Sequence, residues 1–168
     1  MSTPYIAAGA FFDGPYRYEL WRHWRLGLPG CTFIMLNPSA ADGATDDPTI
    51  RRCVGFARSL GCGALRVVNL YAYQATKPAE MLAVPERVGP QNDDHIEAAA
   101  REAAVFGGYL IAAWGTKAEP WRVSQVTTML DMYRLTALGV TKDGHPRHPL
   151  YVRADTRPEP WVWKGTAR

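Results

Sequence analysis

Cysteine is the first shortage in this chain. Cys31, Cys53 and Cys62 are the only three, with no Cys-x-x-Cys pair and no histidine at zinc-finger spacing, so neither a disulfide framework nor a structural metal is expected. Long apolar runs are missing as well. No stretch nears the roughly 20 residues of a membrane span, and the chain does not open on a basic segment followed by an apolar run. A soluble protein of the reducing cytoplasm, with no membrane partner, is the expectation. Charge of one sign is also scarce. A net charge of +3 over 168 residues leans towards anionic partners but is far below that of a protein that coats nucleic acid. Aromatics, by contrast, are plentiful. Six Trp and eight Tyr exceed what the core of one domain needs, so some should face a ligand.

The length fits a single domain over residues 1–168, with a core at about 16–151 and a tail at 152–168. Its centre is the run Phe33-Ile34-Met35-Leu36, which stops at Asn37-Pro38-Ser39. An unbroken apolar run suits a strand over residues 32–36 buried on both faces, as parallel strands are. Pro38 ends its ladder, and Asn37 is left at the carboxyl end, where open α/β sheets collect their ligands.

Ahead of this strand, Tyr16–Trp24 alternates as a half-exposed strand should, and Gly27–Gly30 makes the turn. After the loop Ser39–Asp47, Asp47 reads as an N-cap and Pro48 as the first residue of a helix. Ile50, Cys53, Ala57 and Leu60 form its buried stripe, with Arg51, Arg52 and Arg58 on a solvated basic face. Leu65–Leu70 is a second strand bearing Asn69, and the loop Tyr71–Pro78 follows. Asn92-Asp93 can cap a helix to about Phe106. Tyr109–Trp114 is a third strand, Trp121–Leu130 a helix and Arg134–Leu138 a fourth strand. The polar loop Thr141–Tyr151 gathers Lys142, His145, Arg147 and His148, with His145 read as solvated; Arg153–Arg168 is expected to pack loosely or fray. This alternation predicts an α/β fold, a three-layer α/β/α with a central, mainly parallel four-stranded sheet.

Four segments at strand ends, Leu36-Asn37-Pro38-Ser39, Val68-Asn69-Leu70, Ala113-Trp114-Gly115-Thr116 and His148-Pro149-Leu150, together resemble the motifs of the uracil-DNA glycosylase superfamily. Its thymine and mismatch-specific branch has Asn-Pro after the first strand. The second strand there often carries a base-reading Asn, the third can end in Trp-Gly, and the last motif is His-Pro with a Leu nearby. Residues 32–151 carry the likeness. The chain departs from the superfamily in having Asn37 where the activating Asp stands, Met35-Leu36 in place of a common Gly, and a shortened His-Pro loop. Three cysteines cannot supply the four ligands of the iron-sulfur cluster that some branches hold. The chain also resembles short bacterial and phage proteins described only as a domain of unknown function, through blocks such as NPS-AD-DDPTIRRC and RHPLY.

The resemblance implies a monofunctional DNA glycosylase acting as a monomer on DNA, with no cofactor and no metal. Cleaving an N-glycosidic bond develops positive charge on the sugar and negative charge on the base. Asn37 would hold the attacking water, and His148 would donate to the base oxygen, aided by Arg147. The extruded base needs an aromatic wall and an edge reader; Tyr71 or Tyr73 would stack on it, Asn69 would read it, and Leu36 and Ser39 would line its pocket. Arg51, Arg52, Lys142, Arg147, Leu150 and Tyr151 would contact DNA. The uracil-specific branch narrows its pocket with a Tyr soon after the motif proline. Ser39-Ala40-Ala41 leaves room there, which points to a bulky, phage-type modified pyrimidine and a defensive role, with repair of uracil or mismatched bases as the alternative.

Plainer readings stand beside these. Asn37 can simply cap a turn, Asn69 can bond a neighbouring strand end, and Trp114 is more often core than contact. Two other function classes remain: a divalent-metal phosphoester hydrolase using Asp42, Asp46 and Asp47, and a binder of DNA or nucleotide without catalysis.

Overall fold

The computed structural model describes residues 5–165. Its strands are β1 (Ala7–Asp13), β2 (Tyr16–His23), β3 (Gly30–Met35), β4 (Ala64–Asn69), β5 (Tyr109–Ala112), β6 (Thr136–Ala137) and β7 (Glu159–Pro160); its helices are α1 (Pro48–Ser59), α2 (Pro78–Leu82), α3 (Asn92–Val105) and α4 (Pro120–Met129). The strands form one mixed sheet in the order β1-β2-β4-β3-β5-β6-β7. β4, β3, β5 and β6 run parallel to one another. β1, β2 and β7 join antiparallel at the two sides. The expected four-stranded sheet is thus a seven-stranded one in which antiparallel pairings are as many as parallel ones. No helix among the described residues is long and apolar enough to cross a membrane.

Alternation along β3 divides the core. Phe33 and Met35 face α1, packing with Cys53, Phe56 and Ala57. Ile34 and Leu36 face the other way, onto the small-residue stripe Ile96, Ala99, Ala100 and Ala103 of α3 and onto Val123 and Val126 of α4. Helices therefore cover both faces, and β3 is buried on each, which is why its sequence reads as an unbroken apolar run. Asp47 caps α1, its Oδ1 accepting from Ile50 N at 2.8 Å.

Several expectations need correcting. β1 is an additional strand ahead of Tyr16; its side chains are mostly exposed on both faces, so it lacks a hydrophobic period, and it is held by pairing with β2 around Gly14, whose φ of 58° suits the tight turn. Asn92 does not cap α3. It is fully buried, and its Nδ2 donates to Asn69 O at 2.9 Å and Leu70 O at 3.1 Å, because β4 ends there with carbonyls the ladder no longer satisfies. The tail does not fray over its described part. β7 pairs with β6, and Trp161, 6% exposed, meets the Trp114 ring edge-on at 5.3 Å between centroids and donates from Nε1 to Gly144 O at 3.1 Å. This indole joins the core cluster that includes Trp114, Leu135 and Ala137. His145 is half-buried against Trp163, with its Nδ1 enclosed, rather than solvated.

Candidate nucleotide-binding cavity

A cavity of about 510 Å³ opens at the carboxyl ends of the parallel strands, within the size range of small-molecule sites. Leu36, Asn37, Ser39, Asn69, Arg147, His148, Leu150 and Tyr151 line it, so eight expected site residues converge from three separate parts of the chain.

The ends of β3 and β4 continue side by side past the strands. Leu70 N donates to Met35 O and Tyr71 N to Leu36 O, which sets Asn37 beside the 74–75 segment. Asn37 Nδ2 donates to Pro38 O at 3.0 Å and Ala75 O at 2.9 Å, and Gln74 Nε2 donates to Ser39 O at 2.6 Å. Both amide protons of Asn37 are spent on carbonyls, so its Oδ1 is the atom left to accept from a ligand or water. Asn69 is the opposite case. It is 1% exposed, and neither its Oδ1 nor its Nδ2 has a partner. A buried amide left open at both ends is costly unless something fills it. The backbone at this strand end is fixed meanwhile by Asn92, whose Nδ2 donates to Asn69 O, and by Arg122, whose Nε donates to Leu70 O at 2.8 Å.

His148 precedes a 3₁₀ turn, Pro149–Tyr151, and accepts on Nδ1 from Leu150 N at 3.2 Å. An accepting Nδ1 assigns the proton of the neutral ring to Nε2. Burial lowers the His148 pKa below the ordinary 6.5, with Asp47 pulling weakly the other way, so near neutral pH the ring is an uncharged donor. Gly115, at φ 76°, turns the chain after β5 so that its N–H reaches Pro146 O at 2.9 Å, tying this loop to the sheet. Arg52 ties it from below. Its Nε donates to Pro149 O at 3.3 Å and its Nη2 to Val152 O.

That role removes Arg52 from the expected DNA face. Arg51 donates to Asp46 O and does not reach the cavity, Arg58 lies over the Trp24 ring, and Lys142 lies on an exposed turn outside the lining. Neither expected stacking tyrosine lines the cavity. Tyr71 is buried on the α4 side, where its hydroxyl donates to Glu119 Oε2 and accepts from Glu119 N, both at 3.0 Å; burial together with the bond to the Glu119 carboxylate pushes its pKa up to about 12. Tyr73 packs edge-on to Tyr16. Trp114 and Tyr151 line the cavity instead; Trp114 is 2% exposed, packed in the core on the α3 and α4 side with its Nε1 unpartnered, and Tyr151 is exposed.

Asp42, Asp46 and Asp47 do not converge. Asp42 accepts from Ala44 N and Thr45 N, Asp46 pairs with Arg22 at 2.8 Å and accepts from Tyr5, and Asp47 caps α1. Among the described residues no three His, Cys, Asp or Glu side chains cluster as a metal site would need.

Three charged cavity residues escaped the sequence reading. Lys117 follows the Trp114-Gly115 strand end, so the strand-end rule that found Asn37 reaches it too. Asp47 was read as a cap and as a metal ligand, not as part of this wall. Arg17 carried no signal, because the alternation of β2 marks Tyr18, Leu20 and Arg22 as its buried side and Arg17 falls on the other parity. It is 2% exposed, and Nη1 donates to Ala41 O at 2.7 Å. Burial pulls its pKa down to about 10, against the field of Asp47, so it stays charged.

No curated protein and no solved structure matches the chain. Residues 17–150 match the family described as "Protein of unknown function (DUF1643)", and the chain, matched over most of its length and over every wall of the cavity but Tyr151, belongs to that family.

Proposed function

We propose that the protein is a DNA glycosylase that hydrolyses the N-glycosidic bond of a modified pyrimidine and leaves an abasic site. The observation that carries this reading is that three amide or imidazole side chains line one cavity: Asn37, with Oδ1 free to accept, Asn69, with an unpartnered amide, and neutral His148. Their chemistry suits the reaction. Asn37 Oδ1 accepts a hydrogen bond from the attacking water and orients it. Asn69, with one donor and one acceptor, matches the alternating donor and acceptor edge of a pyrimidine. Neutral His148 donates to a base oxygen as negative charge gathers there, with no proton to lose first. Trp114 gives the extruded base a wall to lie against.

Leu150 and Tyr151, 44% and 78% exposed at the mouth, offer the apolar surface that displaces a base from its stack. The parallel group β4-β3-β5-β6, with helices on both sides, supports a uracil-DNA glycosylase-like core within the larger sheet. Ser39 at the wall is small and leaves space for a ring substituent, so the preferred base is a bulky, phage-type pyrimidine and the role defensive.

The test is incubation with duplex and single-stranded DNAs carrying uracil, thymine mismatches, or hydroxymethylated and glucosylated pyrimidines, followed by alkali. Strand breaks at a modified pyrimidine are expected. Breaks at uracil alone would make it a repair enzyme, and intact DNA throughout would sink the glycosylase reading.

A further inference from the structure

Arg17 is the one buried cation at the cavity, and its bonding is incomplete in a specific way. Nη1 is held by Ala41 O, while Nε has no partner and Nη2 makes no hydrogen bond to a described residue. Those two nitrogens form the side-on edge of the guanidinium, the edge that grips a carboxylate or phosphate through two parallel N–H···O bonds. No carboxylate of the described residues pairs with it within 4.0 Å. Asp47, whose field reaches it, spends Oδ1 on capping α1. A buried guanidinium left this way is costly to keep, and the cost is recovered only when an anion arrives. If Arg17 merely tied down the 39–47 loop, one neutral donor to Ala41 O would serve.

We propose that the Nε–Nη2 edge of Arg17 is an anion-binding subsite of this cavity, taking a carboxylate or phosphate oxygen pair of the ligand whose ring edge Asn69 reads. The proposal rests on the reading of Asn69 as a base contact, but it requires no bond to be cleaved. Two sources supply such a group: an acidic substituent on the base, or the phosphate of the nucleotide.

Calorimetric titration of the full chain separates them. Uracil-5-carboxylate is compared with thymine, and uridine 5′-monophosphate with uridine. One acid in the two pairs should bind at least about tenfold tighter than its neutral partner, as suits a two-point charge-assisted contact. The acid that wins names the source. Arg17→Met should erase the advantage, and Arg17→Lys, which keeps the charge but loses the fork, should retain only part of it. Equal binding of acid and neutral partner by the unaltered chain overturns the subsite, whether or not the variants fold. So does an advantage that survives in folded Arg17→Met. The alkali assay scores the glycosylase reading separately: acid preference without abasic sites keeps the subsite and discards the reaction, and abasic sites without acid preference do the reverse.

Discussion

Asn37 does two jobs with one amide. Its Nδ2 bonds to Pro38 O and Ala75 O hold two loops together, while Oδ1 is assigned to water. Asn37→Ala should therefore lower turnover by roughly 10² or more, the scale of losing a group that positions the reacting atoms. It should also cost about 1–2 kcal/mol of stability for the two bonds lost. Full activity in this variant, read by the alkali assay, would falsify the role of Asn37. His148 gives a pH signature. Its folded pKa lies below 6.5 because burial disfavours the imidazolium, so the unfolded chain takes up its proton at a higher pH than the folded one. Stability from this group is whole above about 6.5 and declines as pH falls towards the folded value. Protonation also removes the acceptor for Leu150 N. The acid limb of turnover should fall below pH 6.5, and His148→Ala should slow the reaction by roughly 10². An acid limb centred above 6.5 would assign the titration to another group.

At the scale of elements, the parts easiest to read in the sequence were those whose burial has a period. β3 announces itself by an apolar run that ends in Asn37-Pro38, and α1 by its Asp47-Pro48 cap and the stripe from Ile50 to Ala57. β1 has exposed side chains on both faces, and the tail has no period at all, so neither could be read that way; both are placed by pairing with a neighbouring strand. The same limit separates Asn37 and His148, legible because they sit at punctuation marks of the chain, from Arg17, which sits inside a strand at a position that the alternation assigns to the less buried side. Trp161 shows what the tail contributes. It packs edge-on against Trp114, a lining residue of the cavity. Trp161→Ala should cost about 3–5 kcal/mol by opening a cavity in the core, and base release should weaken with it. An unfolding free energy, from denaturant titration, that changes by less than about 1 kcal/mol would mean that the tail only covers the surface.

At the scale of the whole molecule, a net charge of +3 is too small to hold DNA by the overall field, so the proposed function requires affinity from cations placed at one mouth. Arg147 and Lys117 are exposed there, and Arg147 has no side-chain acceptor among the described residues. Arg52 is spent on the His148 turn, and Arg51 lies away from the opening. Each phosphate neutralised releases counterions, so the logarithm of the binding constant falls linearly with the logarithm of salt, by roughly 0.9 per contact on duplex DNA. Arg147→Ala and Lys117→Ala should each flatten that slope by about 1 while weakening binding to all sequences alike. Arg51→Ala should leave it unchanged. The measurement is fluorescence anisotropy with a labelled duplex between about 50 and 200 mM salt, the range over which such contacts separate clearly. If Arg51→Ala flattens the slope and the two mouth variants do not, DNA approaches along α1, and the cavity would have to receive a free nucleotide instead.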